Sequence, residues 1–350
     1  MNNQIANITA ELGMYTKDRQ ILHDILPLDT PLLIDFHISN ICIFHCNYCI
    51  NSAPKGVYDK TGLRREFMSW ETFELAVKQI KEFPQKIKQI SLDGIGEPLL
   101  NPMLPDMIRL LRQEDVANNV IVISNAAKLT PELGEKLVDA GLQTLRISLQ
   151  GLTEKKYMEI SRAKIDWDEF YQNIVHFSKI KKNCELRVKI ADTALDPGDE
   201  ERFYSLFGNM CDAVAIEHIY DAFGNIGKVY DIPLVSTETN KYGFPLRNIQ
   251  ACWYPFIRMD MRSDGVFANC CNTIFGFEKN IRDVPMIEQW NGEAMNRMRV
   301  ALLKHDRSKY IHCQRCHIPN EEYHPEDVLD GYEDDILARM REKGMLTFME

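Results

Sequence analysis

The chain has 350 residues, 45% of them hydrophobic, and a formal net charge of −10. That length suits one large domain with a small one beside it, and the acidic balance excludes a nucleic-acid surface, which needs clustered Lys and Arg. No apolar run reaches the ~18 residues of a membrane span, and the opening MNNQIANITAELG lacks the basic-then-apolar pattern of a secretion signal. Ten cysteines without such a signal point to a reducing, cytoplasmic setting and to metal ligation rather than disulfides.

In chain order, residues 1–30 read as a helical extension bounded by Pro27 and Pro31. Six short apolar runs follow, at 32–39, 89–94, 119–124, 144–150, 186–192 and 213–219. They are rich in Ile, Val and Leu, as parallel strands buried on both faces are. Helical patterns separate them. One at 69–83 opens on Ser69 with Glu71 and Thr72 in a weak capping box. One at 130–140 opens on Thr130 and Pro131 and stops at Gly141. Others lie at 166–182 and 199–210. Strands alternating with helices predict an α/β fold with a parallel sheet over 31–225. Residues 226–250 read as a linker, 251–320 as a small cysteine-rich domain, and 321–350 as an acidic tail whose helix presents a solvated face.

Cys42, Cys46 and Cys49 stand in ISNICIFHCNYCINS at C-x3-C-x2-C spacing. Thiolates are the usual ligands of iron–sulfur clusters, and three of them leave one iron of a cubane open to a ligand. A zinc site would need a fourth group, for which His45 is at hand. In parallel α/β barrels chemistry gathers at the C-terminal ends of the strands, and the polar segments here fall there. The cysteine loop follows the first predicted strand. DGIGEPLL, with Gly94, Gly96 and Glu97, follows the second; its glycines allow close backbone approach to a ligand. Ser124-Asn125 follows the third, and Ser148-Leu149-Gln150-Gly151 the fourth.

These segments, with the aromatic Tyr48 before the third cysteine, resemble the radical S-adenosylmethionine (SAM) superfamily over roughly residues 30–220. The resemblance implies a partial (β/α)6 radical SAM barrel. It implies a [4Fe–4S] cluster on Cys42, Cys46 and Cys49 whose open iron chelates SAM. It places Tyr48, Gly94, Gly96, Glu97, Ser124, Asn125, Ser148, Gln150 and Arg162 around that cofactor. Gln150 stands where relatives commonly carry Asp.

The later cysteines are Cys252, Cys270, Cys271, Cys313 and Cys316. IRMDMR and VFANCC flank the turn Ser263-Asp264-Gly265 and predict a hairpin. One cysteine before it, one at its end and a C-x2-C pair supply four thiolates, a full set for zinc or for a [4Fe–4S] cluster; spacing does not choose. The arrangement resembles the twitch domain, the short form of the SPASM extension of radical SAM enzymes. That implies one auxiliary [4Fe–4S] cluster on Cys252, Cys270, Cys313 and Cys316, with Cys270 preferred to Cys271 for its distance from the turn glycine. Cys184 and Cys211 match no motif and read as small buried hydrophobes.

Core and twitch domain together resemble 2-deoxy-scyllo-inosamine dehydrogenase-like enzymes. This implies abstraction of a substrate hydrogen by a 5′-deoxyadenosyl radical and two-electron oxidation of a sugar or aminocyclitol carbinol. The alternative is crosslinking or epimerisation of a ribosomally made peptide. A zinc scaffold without activity is a third reading. The implied partners are a small-molecule or peptide substrate and an electron donor such as flavodoxin or ferredoxin, with no nucleic acid and no membrane. The bridging region offers Asp192, Glu217, His218 and Arg258 as candidate bases, and the sequence does not rank them.

Overall fold

A computed structural model describes residues 19–59, 62–220, 238–271 and 279–349. The linker expected at 226–250 therefore lies outside the described residues as far as residue 237, as does the N-terminal extension as far as residue 18.

A one-turn helix, α1 (Leu22–Ile25), leads into β1 (Leu33–His37). The cysteine loop, the short α2 (Lys55–Tyr58) and α3 (Trp70–Ile80) connect β1 to β2 (Ile87–Asp93). Then alternate α4 (Leu104–Gln113), β3 (Ala117–Ser124), α5 (Pro131–Asp139), β4 (Thr144–Leu149), α6 (Glu154–Ser161), α7 (Trp167–Ile180), β5 (Glu185–Ala191), α8 (Asp199–Phe207) and β6 (Ala213–Glu217). All six predicted strands form, each bound within two residues of its expected place. The caps act as their chemistry dictates: Ser69 Oγ accepts from Thr72 N at 3.2 Å, and Thr130 Oγ1 from Leu133 N at 3.2 Å.

Two helices of the barrel longer than one turn, α4 and α6, were not expected. Their signals are in the chain. Leu104, Met107, Ile108 and Leu111 recur at helical spacing and are all buried, and Thr153 caps α6. The prolines around 102–105 obscure the first, yet proline is tolerated in a first helical turn.

The strands run parallel in the order β6-β5-β4-β3-β2-β1. Alternate residues separate the two faces of the sheet. Ile34, Phe36, Ile90, Leu92, Val188 and Ile190 join one core with the helices. Asp35, His37, Ser91, Asp93, Lys189 and Glu217 occupy the other, inner face. A polar inner face beside an apolar outer one is what a partial barrel around a polar ligand requires.

The expected hairpin forms after α9 (Tyr254–Ile257), from β7 (Arg258–Met261) and β8 (Phe267–Ala268). It does not stand apart: β7 pairs in parallel with β1 and extends the barrel's own sheet. Then come α10 (Met286–Asn291), α11 (Glu293–Leu303), α12 (Ile318–Glu321) and α13 (Glu333–Glu342). A second core joins Trp253, Tyr254, Val300, Ile318 and Tyr323 to Ile336, Leu337 and Met340 of α13. The acidic tail is thus anchored by one apolar face, which its net charge masked in the sequence. No described helix is long and apolar enough to cross a membrane.

Candidate active site

The cysteine loop leaves β1 and is held from two sides. His45 N donates to Ser161 O at 2.8 Å and Asn47 N to Ile160 O at 2.9 Å, tying the loop to the end of α6. Phe44 packs edge-on against Tyr157 of that helix, with ring centroids 5.9 Å apart. On the other side, Gly96 N donates to Ser39 O and Glu97 N to Ile41 O. A Cβ at Gly96 would lie 2.4 Å from both Ile41 N and Ile41 O, and one at Gly94, where φ is +133°, would lie 2.7 Å from Ser39 O. Both glycines are therefore required by the packing of this segment on the cysteine loop. Gly96→Ala is expected to cost about 1–3 kcal/mol of stability in urea unfolding, because the obstructing atoms are backbone, and to lower the iron retained after reconstitution.

Glu97 is the hub of the neighbouring loops. Its carboxylate accepts from Ser124 Oγ at 2.5 Å, Asn125 N at 2.7 Å and Leu99 N at 3.0 Å. Burial pushes its pKa up, and those three bonds work against the rise. Asn125 in turn reaches Cys42 Sγ at 3.7 Å through Nδ2. Ser124, Asn125, Glu97 and the cysteines thus meet at the C-terminal edge of the sheet. Across it, the Tyr48 hydroxyl donates to Gln150 Oε1, and Gln150 Nε2 donates to Ser148 O at 3.1 Å. Arg162 caps α6 in the left-handed conformation, φ 55°, and is exposed.

Burial raises the Cys42 thiol to about 11 and lifts Cys46 and Cys49 as well. Buried thiols of this kind ionise when a cation takes the charge. The donor chemistry of both sets, grouped and buried thiols, fits a thiophilic metal or cluster.

The second set lines one cavity: Cys252, Cys270, Cys313 and Cys316 face it together with Tyr254 and Arg307. Burial raises the Cys313 thiol to about 12, with a further rise from Cys316. Cys271 is absent from this lining; its thiol is pushed up by its hydrogen bond with Cys270 and then by burial. Arg307 clamps the chain on either side: Nη2 donates to Ile249 O at 2.6 Å and Nη1 to Cys316 O at 3.4 Å. Asp330 Oδ1 accepts from Ala251 N at 2.7 Å, fixing the residue before Cys252.

Between the two cysteine sets the inner face of the sheet carries a charged network that the sequence did not disclose. Glu322, from the tail, accepts from Lys241 Nζ at 2.5 Å and from the Tyr220 and Tyr254 hydroxyls. Burial opposes its charge, but Lys241 and those hydroxyls outweigh it and hold the carboxyl down at about 2. Tyr254, which lines the cysteine cavity, lies under the Arg258 guanidinium, 4.9 Å from ring centroid to Cζ. Arg258 binds Asp260 through Nε at 2.8 Å and Nη2 at 2.6 Å, and also Asp35. Asp260 stands 3.6 Å from His37 Nε2.

The four candidate bases separate on this geometry. Arg258, held by two carboxylates that raise its pKa against the cost of burial, does not accept a proton. Glu217 is bound to Lys189 at 2.6 Å and held ionised. Asp192 and His218 come together, Oδ2 to Nδ1 at 2.7 Å, where β5 and β6 end. Cys184 and Cys211 precede β5 and β6, at the opposite end of the strands, buried in the helix-side core.

Asp93 and His37, at the ends of β2 and β1, were not singled out in the sequence; charged residues closing otherwise apolar strands were the available signal. Burial, then the neighbouring Asp35, pushes Asp93 up to about 7 from 3.8. A carboxyl raised on folding contributes stability that is whole below its unfolded pKa and lost as pH rises through the folded one. Asp93→Asn is therefore expected to flatten the decline of melting temperature between about pH 4 and pH 7 relative to the unsubstituted protein, as calorimetry across that range reads directly.

Residues 36–191 match the profile of the Radical SAM superfamily. A GTP 3′,8-cyclase of Saccharophagus degradans is 32% identical over 126 residues, 36% of this chain and 35% of that one. A GTP 3′,8-cyclase of Staphylococcus aureus is 26% identical over 156 residues, 44% of each chain. The chain thus spans less than half the length of these curated relatives. Among solved structures, BtrN in complex with AdoMet and 2-DOIA aligns with TM-score 0.55 at 18% identity, over 85% of this chain and 98% of that one. Streptococcus suis SuiB bound to precursor peptide SuiA gives 0.61 at 15%, over 79% and 68%. AdoMet-bound anSMEcpe gives 0.58 at 13%, over 89% and 92%. These three likenesses are likenesses of fold.

Proposed function

The chain belongs to the radical SAM superfamily through residues 36–191, and from that premise we propose that it oxidises a carbinol of a sugar or aminocyclitol by two electrons, using a second, auxiliary [4Fe–4S] cluster. The observation that carries the reading is the pair of cysteine sets, one on the mouth loop and one lining a cavity, with Tyr254 reaching from that cavity into the charged network of the barrel.

On this reading Cys42, Cys46 and Cys49 hold the cluster that binds SAM, and Cys252, Cys270, Cys313 and Cys316 hold the auxiliary one. Together with SAM, these groups supply a 5′-deoxyadenosyl radical that takes a substrate hydrogen, and a sink for the second electron. The chain's own residues do the rest. Glu97 fixes the Ser124-Asn125 turn against the cysteine loop. The Tyr48–Gln150 bond sets the opposite wall of the mouth. The Asp192–His218 pair, whose carboxylate orients the imidazole, is placed to receive a proton at the mouth. Helices cover the outer face and keep water from the strands. A small acidic electron carrier such as flavodoxin or ferredoxin is the donor this reading requires. Epimerisation of a peptide is disfavoured by Cys184 and Cys211, which lie away from the mouth where a hydrogen-donating thiol would have to stand.

The test is anaerobic reconstitution with iron and zinc counting, then an assay of 5′-deoxyadenosine with SAM and dithionite. About eight irons per chain and released 5′-deoxyadenosine are expected. About four irons would remove the auxiliary cluster and the oxidation with it. Zinc without SAM cleavage would sink the reading entirely.

A further inference from the structure

His37 and Asp93 are register partners on adjacent strands, each the last residue of its strand. His37 Nε2 is engaged by Asp260. The other ring nitrogen, Nδ1, is buried and has no hydrogen-bond partner; the same holds for Asp93 Oδ1. Buried polar atoms without partners are costly, and a pair of them on adjacent strand ends calls for a ligand. His37 is buried, while Asp93 is half-buried and immediately precedes the Gly94–Glu97 segment that flanks the cysteine loop. We propose that His37 and Asp93 form a socket for one hydroxyl group of a polyhydroxylated substrate. The proposal rests on the radical SAM reading above and deepens it by naming the group recognised.

The chemistry selects among ligands. Asp35 and Asp260, register partners on β1 and β7, share this inner face with Asp93 against one Arg258 and one His37, so an anionic carboxylate or phosphate is disfavoured. An ammonium only donates; it satisfies Asp93 but leaves Nδ1 facing a cation. A hydroxyl both donates and accepts, so it meets Nδ1 and Oδ1 in whichever protonation state the pair holds. The socket is also continuous with the second cysteine cavity. Contacts run from His37 to Asp260 at 3.6 Å, from Asp260 to Arg258 at 2.6 Å, and from Arg258 over the Tyr254 ring that lines the cavity. A hydroxyl seated on His37 and Asp93 therefore lies at the start of a packed path to the four cysteines.

The experiment measures binding of scyllo-inositol, a neutral polyol, to the reconstituted SAM-bound protein by saturation-transfer NMR. It is set beside 2-deoxystreptamine as an ammonium-bearing probe, and repeated in Asp93→Ala and His37→Phe. The expected result is scyllo-inositol binding that weakens at least about tenfold in each variant, the scale of one or two lost polar contacts, with iron content unchanged. Preference for 2-deoxystreptamine lost only in Asp93→Ala would overturn the hydroxyl assignment in favour of an ammonium. No binding of either probe, or equal binding by wild type and both variants, would overturn the socket. Release of 5′-deoxyadenosine by the same samples is scored separately. Its absence in the unsubstituted protein would defeat the radical SAM chemistry whether or not the polyol binds.

Discussion

Cys46→Ala is expected to reduce 5′-deoxyadenosine release to background and to remove about four irons per chain, with the second set's iron retained. Cys46 is the most buried of the three loop cysteines, and its thiol is raised by burial and then by Cys49 and Cys42. Such a sulfur carries charge only while a metal shares it. Two remaining thiols cannot hold a cubane on a loop that brings no fourth sulfur. The loop itself should survive the substitution, because its position depends on the backbone bonds of His45 and Asn47 to α6 and of Gly96 and Glu97 to Ser39 and Ile41. Cys184→Ala is the matched control: an equally buried thiol in the helix-side core, expected to leave iron and SAM cleavage unchanged. Iron quantification with an assay of 5′-deoxyadenosine reads both variants. Retained cleavage in Cys46→Ala would remove the mouth loop from the chemistry.

Cys270→Ala and Cys271→Ala are expected to part company. Loss of Cys270 should cost about four irons and abolish product oxidation while 5′-deoxyadenosine still forms. Loss of Cys271 should leave about eight. Cys270 faces the cavity shared by Cys252, Cys313 and Cys316, whereas Cys271 does not line it. The ligand bearing the C-x2-C pair is held by Arg307, whose donors reach Ile249, Gln250 and Cys316 carbonyls. Its partner before the hairpin is held by Asp330. Cavity and clamps exist without Cys271. The opposite iron pattern would reassign the fourth ligand.

Both predictions began as spacings, and spacing is what a chain of residues exposes most directly. The mouth loop, DGIGEPLL and Ser124-Asn125 were legible because each follows an apolar run recognisable as a strand, and the strands themselves were legible because burial on both sides demands apolar residues in short blocks. The roles within those segments were less legible. Gly94 and Gly96 looked like room for a ligand; in the folded chain they give room to Ser39 and Ile41, a contact between segments more than fifty residues apart in sequence. Glu97 looked like a ligand-binding carboxylate, and it is the acceptor for Ser124, Asn125 and Leu99.

The sequence by itself determined the strand–helix alternation, the caps, the two cysteine sets and the order of polar segments along the barrel edge. Those are local properties, set by periodicity, side-chain capping and thiol spacing. Only the tertiary structure decided which cysteine of the 270–271 pair faces the cavity, that β7 joins β1, and that the acidic tail turns Glu322 inward to meet Lys241 and Tyr254. It also decided that His37 and Asp93 stand side by side with unmet hydrogen-bonding capacity. The reason is the same in each case. A buried charge or an unpaired polar atom is tolerated or not according to its neighbours in space, and those neighbours come from strands and helices far apart in the chain.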